Sequence, residues 1–578
     1  MALPEIWFDD IQDKLTLATG EWSAIARWVS ATLTGADTQA TWPDRLWADE
    51  RPRLVFLSLS DGQQTATVDY GSSIGLRAAI EAAIASVQSR GRGATVPYCK
   101  IDIVQSAITS ERLNSERPFR YDRSLYGLAY TRESQIALLP EELVGWQLLD
   151  AEHKLDADRL SRYLKKYPER AAAWQVLRQA ARVKFYRFAC TSFATDGRDA
   201  WLLYRGHRCF NAIAPSDLLN AAERGGRYLR HQQSPEGRFT YCYHASRDRV
   251  TIDYNLLRHA GAAIALLDLY EVTGELEFLD AAQGGLDYLL PFSQTSPLVP
   301  TVGCCIVENG FAKLGATALA IIALVKYTIC TRQQHYLPQL LQLARHLQAA
   351  QQPSGAFLHH RQAYPSGEDT SFVSRRYPSQ AILAMLYLYK LTERESWLTR
   401  AEAGVRYLLM TARPQSDFED YWLLRSLSEL FRHVRNPRYH QQAEQIATVI
   451  ANHQHPGRPQ ADWLGSFGKP PSAIATAARL EGLCAVYHLV NVANVAVNRQ
   501  AHERRHDIIW LAGRFLLQLQ CEPETVMYLP KPARARDGFR QQLTDFTIRL
   551  DDVYRSITGL LAVYRLTGEP TSQVIRYN

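Results

Sequence analysis

Along the second half of the chain, apolar and small residues recur in blocks that leave no polar face. "GAAIALLDL", "LGATALAIIALV" and "AIATAARLEGLCAV" are rich in Ala, Leu and Gly all round. Helices apolar on every face are buried ones. Between these blocks two phrases repeat. One joins helices: "LYEVTGELEFL", "LYKLTERESWL", "LFRHVRNPRYH". The other closes them: "GGRYLRHQQSPEGRF", "ARHLQAAQQPSGAF", "GRFLLQLQCEPETVMYL". Pairing the phrases predicts helices of two kinds. One kind begins near Leu218, Leu276, Tyr336, Trp397, Tyr439 and Arg504; the other begins near Asp253, Ala312, Pro378, Asp420, Ala473 and Leu550. Six helical hairpins in series predict two concentric rings, an (α/α)6 toroid, with the all-apolar kind inside.

Up to about residue 210 the pattern is different. "RLVFLSLSDGQQTATVDY" alternates and turns at Asp61-Gly62, the mark of a hairpin. "IGLRAAIEAAIASVQ" has helical spacing, "YCKIDIVQSAI" reads as a strand, and "LYGLAYTRESQIALLPEEL" as a second hairpin ended by proline. "ADRLSRYLKKY" and "AAAWQVLRQAAR" read as helices, "VKFYRFACTSF" and "AWLLYRGH" as strands. This is α+β grammar. From Arg51 to Phe193 the order of these elements resembles the AMMECR-type domain family, with one departure: "QQTATVDYG" stands where that family carries an Arg-Gly-Cys motif. The resemblance implies a structural or partner-binding module and transfers no cysteine chemistry. The expected layout is multidomain: an α+β domain over 1–210, then an all-α toroid over 211–578.

Composition narrows the function classes. With 578 residues, 46% hydrophobic and 21% charged, the chain is globular, not disordered. A formal net charge of +6 is compatible with small anions but lacks the basic stripes of nucleic-acid binding. Nine scattered cysteines without a CxxC spacing suggest reduced thiols. The N-terminus "MALPEIWFDDIQDK" has no basic n-region or apolar h-region, and the most apolar stretch is interrupted by Lys326. A cytoplasmic, soluble protein away from membranes is the expectation.

The candidate chemistry sits where the predicted inner helices begin. The first offers Asp253, Tyr254, Asn255, Arg258 and His259; the second Glu308 and Lys313; the third Arg376, Tyr377 and Ser379. The fourth offers Glu419, Asp420, Tyr421 and Trp422, the fifth Arg479 and Glu481, the sixth Arg549, Asp551, Asp552 and Tyr554. In a toroid these ends gather at one mouth. Carboxylates, cations and aromatic rings around one cavity suit a polyhydroxy substrate. The expected catalytic set is Glu481 as acid, Asp551 or Asp552 as base or nucleophile, and His259 with Tyr254 in proton handling. The helix dipole, which lowers a carboxylate's pKa, places the aspartates on the basic side. Asp253, Asn255, Arg258, Lys313, Tyr377, Asp420, Tyr421, Trp422, Arg479 and Arg549 are the expected binding residues. Several of the candidates have a plainer alternative. Asp253 and Asp420 are candidate helix caps, His259 a satisfied core histidine, Glu481 half of a buried ion pair, and Tyr421 and Trp422 packing aromatics.

No cysteine or histidine spacing makes a metal site, and no phosphate loop, GxSxG or GxGxxG opens a helix. No cofactor is expected. "RLDDVYR" resembles the aspartate motifs of isoprenoid cyclases but lacks one aspartate of each. The "LTGExxxL" joins and "LxxQQxxxGxF" closures, spread over about Leu218 to Gly568, resemble the six-hairpin superfamily. That superfamily includes N-acylglucosamine 2-epimerase-like proteins, uronyl epimerases and several glycoside hydrolases and lyases. The resemblance implies a carbohydrate-active enzyme working inside the funnel. The 2-epimerase pattern uses two histidines, and only His259 stands at an inner-helix start. The expected function is therefore a sugar-active enzyme on an anionic or amino-sugar substrate, with hydrolysis, elimination and epimerisation left open. The competing class is a non-catalytic ligand- or partner-binding scaffold, its N-terminal domain recruiting a protein partner; an isoprenoid cyclase-like enzyme is the third.

Overall fold

The computed structural model describes residues 6–18, 20–35, 41–90, 98–113, 125–150, 154–411, 420–493, 499–567 and 575–576. The second half is a series of helices, here α1–α12. The odd-numbered ones are α1 (Pro215–His231), α3 (Leu276–Leu289), α5 (Leu337–Ala350), α7 (Glu395–Thr411), α9 (Pro437–Asn452) and α11 (Arg499–Leu519). The even-numbered ones are α2 (Leu256–Thr273), α4 (Leu314–Thr331), α6 (Tyr377–Thr392), α8 (Tyr421–His433), α10 (Ala473–Ala493) and α12 (Leu550–Leu566). Each even-numbered helix packs on the next, and α12 packs back on α2. The inner ring is closed. The odd-numbered helices lie outside it, each against the inner helix it is paired with.

The reason is visible in α4. Every residue from Leu314 to Thr328 is buried, so this helix needs neighbours on all sides. It is the one described helix long and apolar enough to cross a membrane, and its apolarity is that of an enclosed core element. Lys326, the break in its apolar run, pairs with Asp268 at 2.9 Å and Glu271 at 3.2 Å on α2. Arg565 of α12 reaches the same two carboxylates at 3.2 and 2.9 Å. Burial would raise the Asp268 carboxyl, but Lys326 and Arg565 outweigh it and hold the group at about 2.

The repeated closing phrase is a clasp. Gln233, just after α1, donates from Nε2 to the carbonyl of Gly237 in its own loop and of Ala281 on α3, at 3.1 and 2.9 Å. Gln351 does the same to Gly355 and to Arg400 on α7, and Gln454 to Gly465 and to Ile508 on α11. Gln520, after α11, reaches Asp537 in its loop and Ala221 on α1, at 3.2 and 2.9 Å. Each glutamine thus ties one outer helix to the next, and the last ties the end of the series to its start. Three of the loops turn on a glycine in the left-handed region: Gly237 (φ 91°), Gly355 (φ 93°) and Gly465 (φ 87°). At each a Cβ would fall 1.9–2.3 Å from a carbonyl oxygen of the next outer helix.

The first half is an eight-stranded antiparallel sheet in the order β2-β1-β3-β6-β4-β5, with β7 on β6 and β8 on β7. Its strands are β1 (Pro52–Ser60), β2 (Thr67–Ile74), β3 (Tyr98–Leu113), β4 (Gly127–Ala129), β5 (Ala137–Leu138), β6 (Arg182–Thr195), β7 (Ala200–Tyr204) and β8 (His207–Arg208). The two expected hairpins, β1–β2 and β4–β5, are both present. Helix Leu76–Ser89 lies so close to β2 that a Cβ on Gly71 would sit 2.1 Å from the Ala83 nitrogen. Pro140 does not stop the second hairpin but opens a short helix, Pro140–Gly145, where its missing N–H costs nothing.

The long segment from Cys521 to Arg549 divides its length between sheet and ring. Met527 and Tyr528 are buried in the aromatic core of the sheet with Trp7, Phe56 and Phe188. Tyr528 Oη donates to Ser58 Oγ at 2.8 Å, and the Ala66 amide to the Met527 carbonyl at 2.7 Å. The remainder returns to the ring, where Thr547–Arg549 pairs as a strand with Cys242–His244.

Candidate functional site

The start of α2 is organised by Asn255, whose side chain accepts from the Arg258 amide at 3.1 Å. Asp253 is exposed and does not cap the helix. The cap is Asn255 instead, two residues later, where the chain enters α2 in extended geometry.

His259 is fully buried. Its Nε2 lies 2.7 Å from the Gly285 carbonyl on α3 and its Nδ1 2.6 Å from Tyr254 Oη. The neutral ring satisfies both: Nε2–H donates and Nδ1 accepts from the tyrosine. Burial pushes the imidazole down to about 4. This is the satisfied core histidine of the alternatives above, and it has a consequence for acid stability. In the unfolded chain the ring protonates near pH 6.5. Protons therefore bind the unfolded state preferentially as the pH drops from 6.5 to about 4, and stability falls over that window. The loss approaches roughly 3 kcal/mol for this one group. Melting curves of wild type and His259→Gln at pH 8 and pH 5 test this. The variant is expected to be less stable at pH 8 and to lose less between the two.

On the same side of the ring, Asp551 is held by Arg258 at 2.8 Å and Arg549 at 3.2 Å, and Arg258 also bonds to Tyr241 Oη. Asp552 is 1% exposed, and its Oδ2 has no hydrogen-bond partner among the described residues. Burial, then the charge of Asp551, raise its carboxyl well above the usual range. The dipole expectation is reversed here, because a first-turn dipole is a small effect beside full burial next to a second carboxylate. Lys313 is also committed. It pairs with Glu308, which in turn accepts the Leu256 amide at 2.6 Å.

Glu481 lies on the axis and not at the mouth. Arg555 approaches it at 3.0 Å, Arg425 at 2.7 Å, and Thr558 Oγ1 donates at 2.5 Å. Trp422 lies under both arginines, 4.5 Å from Arg555 and 4.9 Å from Arg425. The space left at this level is about 20 Å³. At the level of Glu481 the inside of the ring is nearly filled.

Open space lies to one side, over the starts of α6, α8 and α10. A cavity of about 620 Å³ is lined there by Arg375, Arg376, Asp420, Tyr421 and Arg479, with His360 and Ser374 from the preceding loop and Tyr407, Leu408 and Thr411 from the end of α7. Asp420 caps α8, accepting from the Trp422 and Leu423 amides at 2.9 and 3.2 Å, and from Ser379 Oγ at 2.5 Å. Those bonds and Arg376 favour its charged form, yet burial wins and the carboxyl is raised to about 6. Arg376 lies over the Tyr421 ring at 5.3 Å. His360 is neutral in its setting: the Ser374 amide donates to Nδ1 at 2.8 Å, Nε2–H donates to the Phe357 carbonyl at 3.0 Å, and burial lowers its pKa.

Of the expected residues, the cavity brings together Asp420, Tyr421 and Arg479. Tyr377 stands behind it, packed on Gly315 and near the rings of His360 and Phe372. His259, Tyr254, Arg258, Asp551, Asp552, Lys313, Glu481, Trp422 and Arg549 are not in its lining. Glu419 lies outside the described residues. The wall supplied by His360, Ser374 and the end of α7 was missed in the sequence. The signal there is two short apolar steps, Phe357-Leu358 and Phe372-Val373, in a loop of mostly polar residues.

No protein-family model and no curated protein sequence matches the chain. Solved structures do. The GH76A alpha-1,6-mannanase from Salegentibacter sp. HEL1_6 is 14% identical, covers 60% of this chain and 99% of its own, with a TM-score of 0.44. Cellobiose 2-epimerase from Bacillus thermoamylovorans B4167 is 12% identical, over 61% of this chain and 100% of its own, with a TM-score of 0.46. An unsaturated glucuronyl hydrolase specific for heparin is 12% identical, over 61% and 98%, with a TM-score of 0.44. The assignment of a closed double ring rests on the helix packing itself.

Proposed function

We propose that this chain is a sugar-active enzyme taking an anionic or amino-sugar substrate, with its site in the cavity over α6, α8 and α10. The observation that carries the reading is Asp420: a carboxyl raised to about 6, in the wall of a 620 Å³ cavity beside Arg376 and Arg479. A group with that affinity for protons both takes and returns one near neutrality. The arginines supply the matching anion site. Asp420 is the one carboxylate among the described lining residues. Hydrolysis by the usual route needs two. One acid–base group facing arginines suits removal of a proton next to a carboxylate, the step shared by elimination and epimerisation. Asp552 beside Asp551 stays as the reserve acid–base pair, while Glu481, His259 and Tyr254 hold the ring together.

The saturation of Glu481 by two arginines favours a second reading, a ring that binds a ligand without turning it over. Residues 1–210 in this proposal are an AMMECR-like module open to a protein partner, and 211–578 the toroid. Most buried apolar residues of the sheet and of the ring fall in different clusters, which supports that division, while Met527 and Tyr528 join the sheet's core and Val144 the ring's. A thermal-shift screen with glucuronic acid, N-acetylglucosamine, sugar phosphates and a prenyl diphosphate tests the main reading. Glucuronate is expected to raise the melting temperature of wild type and Asp420→Asn but not of Arg479→Gln, and Asp420→Asn to lose turnover of at least a hundredfold. Binding without turnover in wild type would favour the scaffold, a diphosphate response alone the cyclase-like reading, and no response at all would sink the proposal.

A further inference from the structure

The walls of the cavity are divided by chemistry. Asp420, Arg376, Arg479 and Ser374 provide donors and acceptors, whereas Leu358, Val373, Leu408 and Ile474 provide none. A sugar hydroxyl pressed against such aliphatic side chains loses water without gaining a partner, an unfavourable exchange. Nor do these four aliphatic side chains offer the flat rings on which sugar faces stack; in this cavity those come from Phe357, Tyr407 and Tyr421. Leu358 and Val373 are nevertheless 61% and 76% exposed, and Phe372, beside Val373 in the chain, is 37% exposed. Large apolar side chains exposed to water at the edge of a pocket mark a binding surface more than a packing one.

We propose that the ligand is an amphiphile: an anionic sugar, a uronic acid, bearing an apolar alkyl or aryl aglycone. The sugar ring lies toward Asp420, Arg376 and Arg479, and the aglycone lies along Leu358, Val373, Leu408 and Ile474. This rests on the reading of the cavity as an anionic-sugar site. Burying even a short hydrocarbon chain there is worth about tenfold or more in affinity.

The test is calorimetric titration of the full chain with glucuronic acid, phenyl glucuronide, hexyl glucuronide and uncharged hexyl glucoside. The same ligands are titrated into the double variant Leu358→Ser/Val373→Ser, whose two positions are exposed enough to leave folding intact. Both glucuronide conjugates are expected to bind at least tenfold more tightly than glucuronic acid. The double variant is expected to lose that gain while its affinity for free glucuronic acid is unchanged. Equal affinity for the acid and its conjugates would overturn the aglycone proposal and leave the anionic-sugar site standing. Equal binding of hexyl glucoside and hexyl glucuronide would overturn the amphiphilic anion. Binding of none of the four would overturn the proposal and the reading beneath it.

Discussion

Glu481→Gln is expected to destabilise the ring by about 3–5 kcal/mol. The variant keeps the shape of the side chain and removes its charge. Arg555, whose side chain is 5% exposed, then stays buried beside Arg425 with no carboxylate between them. Two guanidinium groups forced together in a site with little water repel, and burial amplifies the repulsion. The melting temperature of the ring is expected to fall by roughly 4–7 °C, given about 1 °C or a little more per kcal/mol for a body of this size. The partner experiment is the triple replacement of Glu481, Arg425 and Arg555 by apolar residues of similar volume, expected to recover much of the loss. A catalytic glutamate behaves in the opposite way: its Gln variant melts like wild type and loses only turnover. Calorimetry on the purified variant separates the two.

Gly237→Ala is the second large effect. The residue has φ 91°, where a side chain is strained, and the new Cβ would stand 1.9 Å from the Gly284 carbonyl oxygen on α3. Neither atom moves without moving a backbone, so the loop must leave α3 and the Gln233 clasp opens. Left-handed strain accounts for about 1–3 kcal/mol, and the lost clasp bonds add to it. A total loss of roughly 3 kcal/mol or more is expected, read by chemical denaturation. By contrast, Gly274→Ala, also left-handed (φ 72°) but with no atom within 4 Å of its Cβ, is expected to cost only the strain. The difference between the two measures the clasp. Equal losses would show that the contact with α3 contributes nothing.

The starts of the inner helices were legible because burial on every side leaves its mark on composition, as in the run from Leu314 to Thr328. What each start does chemically was less so. Glu481 meets Arg425 and Arg555 from 56 and 74 residues away, and whether they close on it depends on the bore of the ring, which spacing along the chain does not encode. Asp552 misled for a related reason: the dipole of its helix is local and legible, the burial that overrides it is not. The cavity wall from the loop before α6 and the end of α7 is equally non-local. So is Tyr528, a residue from between two ring helices that completes the core of a sheet beginning at Pro52.

The Gln520 clasp carries a consequence for how such a chain comes apart. An open stack of helical hairpins has two end units, each missing a neighbour, and unfolding starts there. Tying α11 to α1, with α12 against α2, removes both ends. Every hairpin then has two flanking contacts, and releasing any one of them sacrifices both. Fraying from a weak terminus gives way to a single collective transition, so the ring melts as one body or not at all.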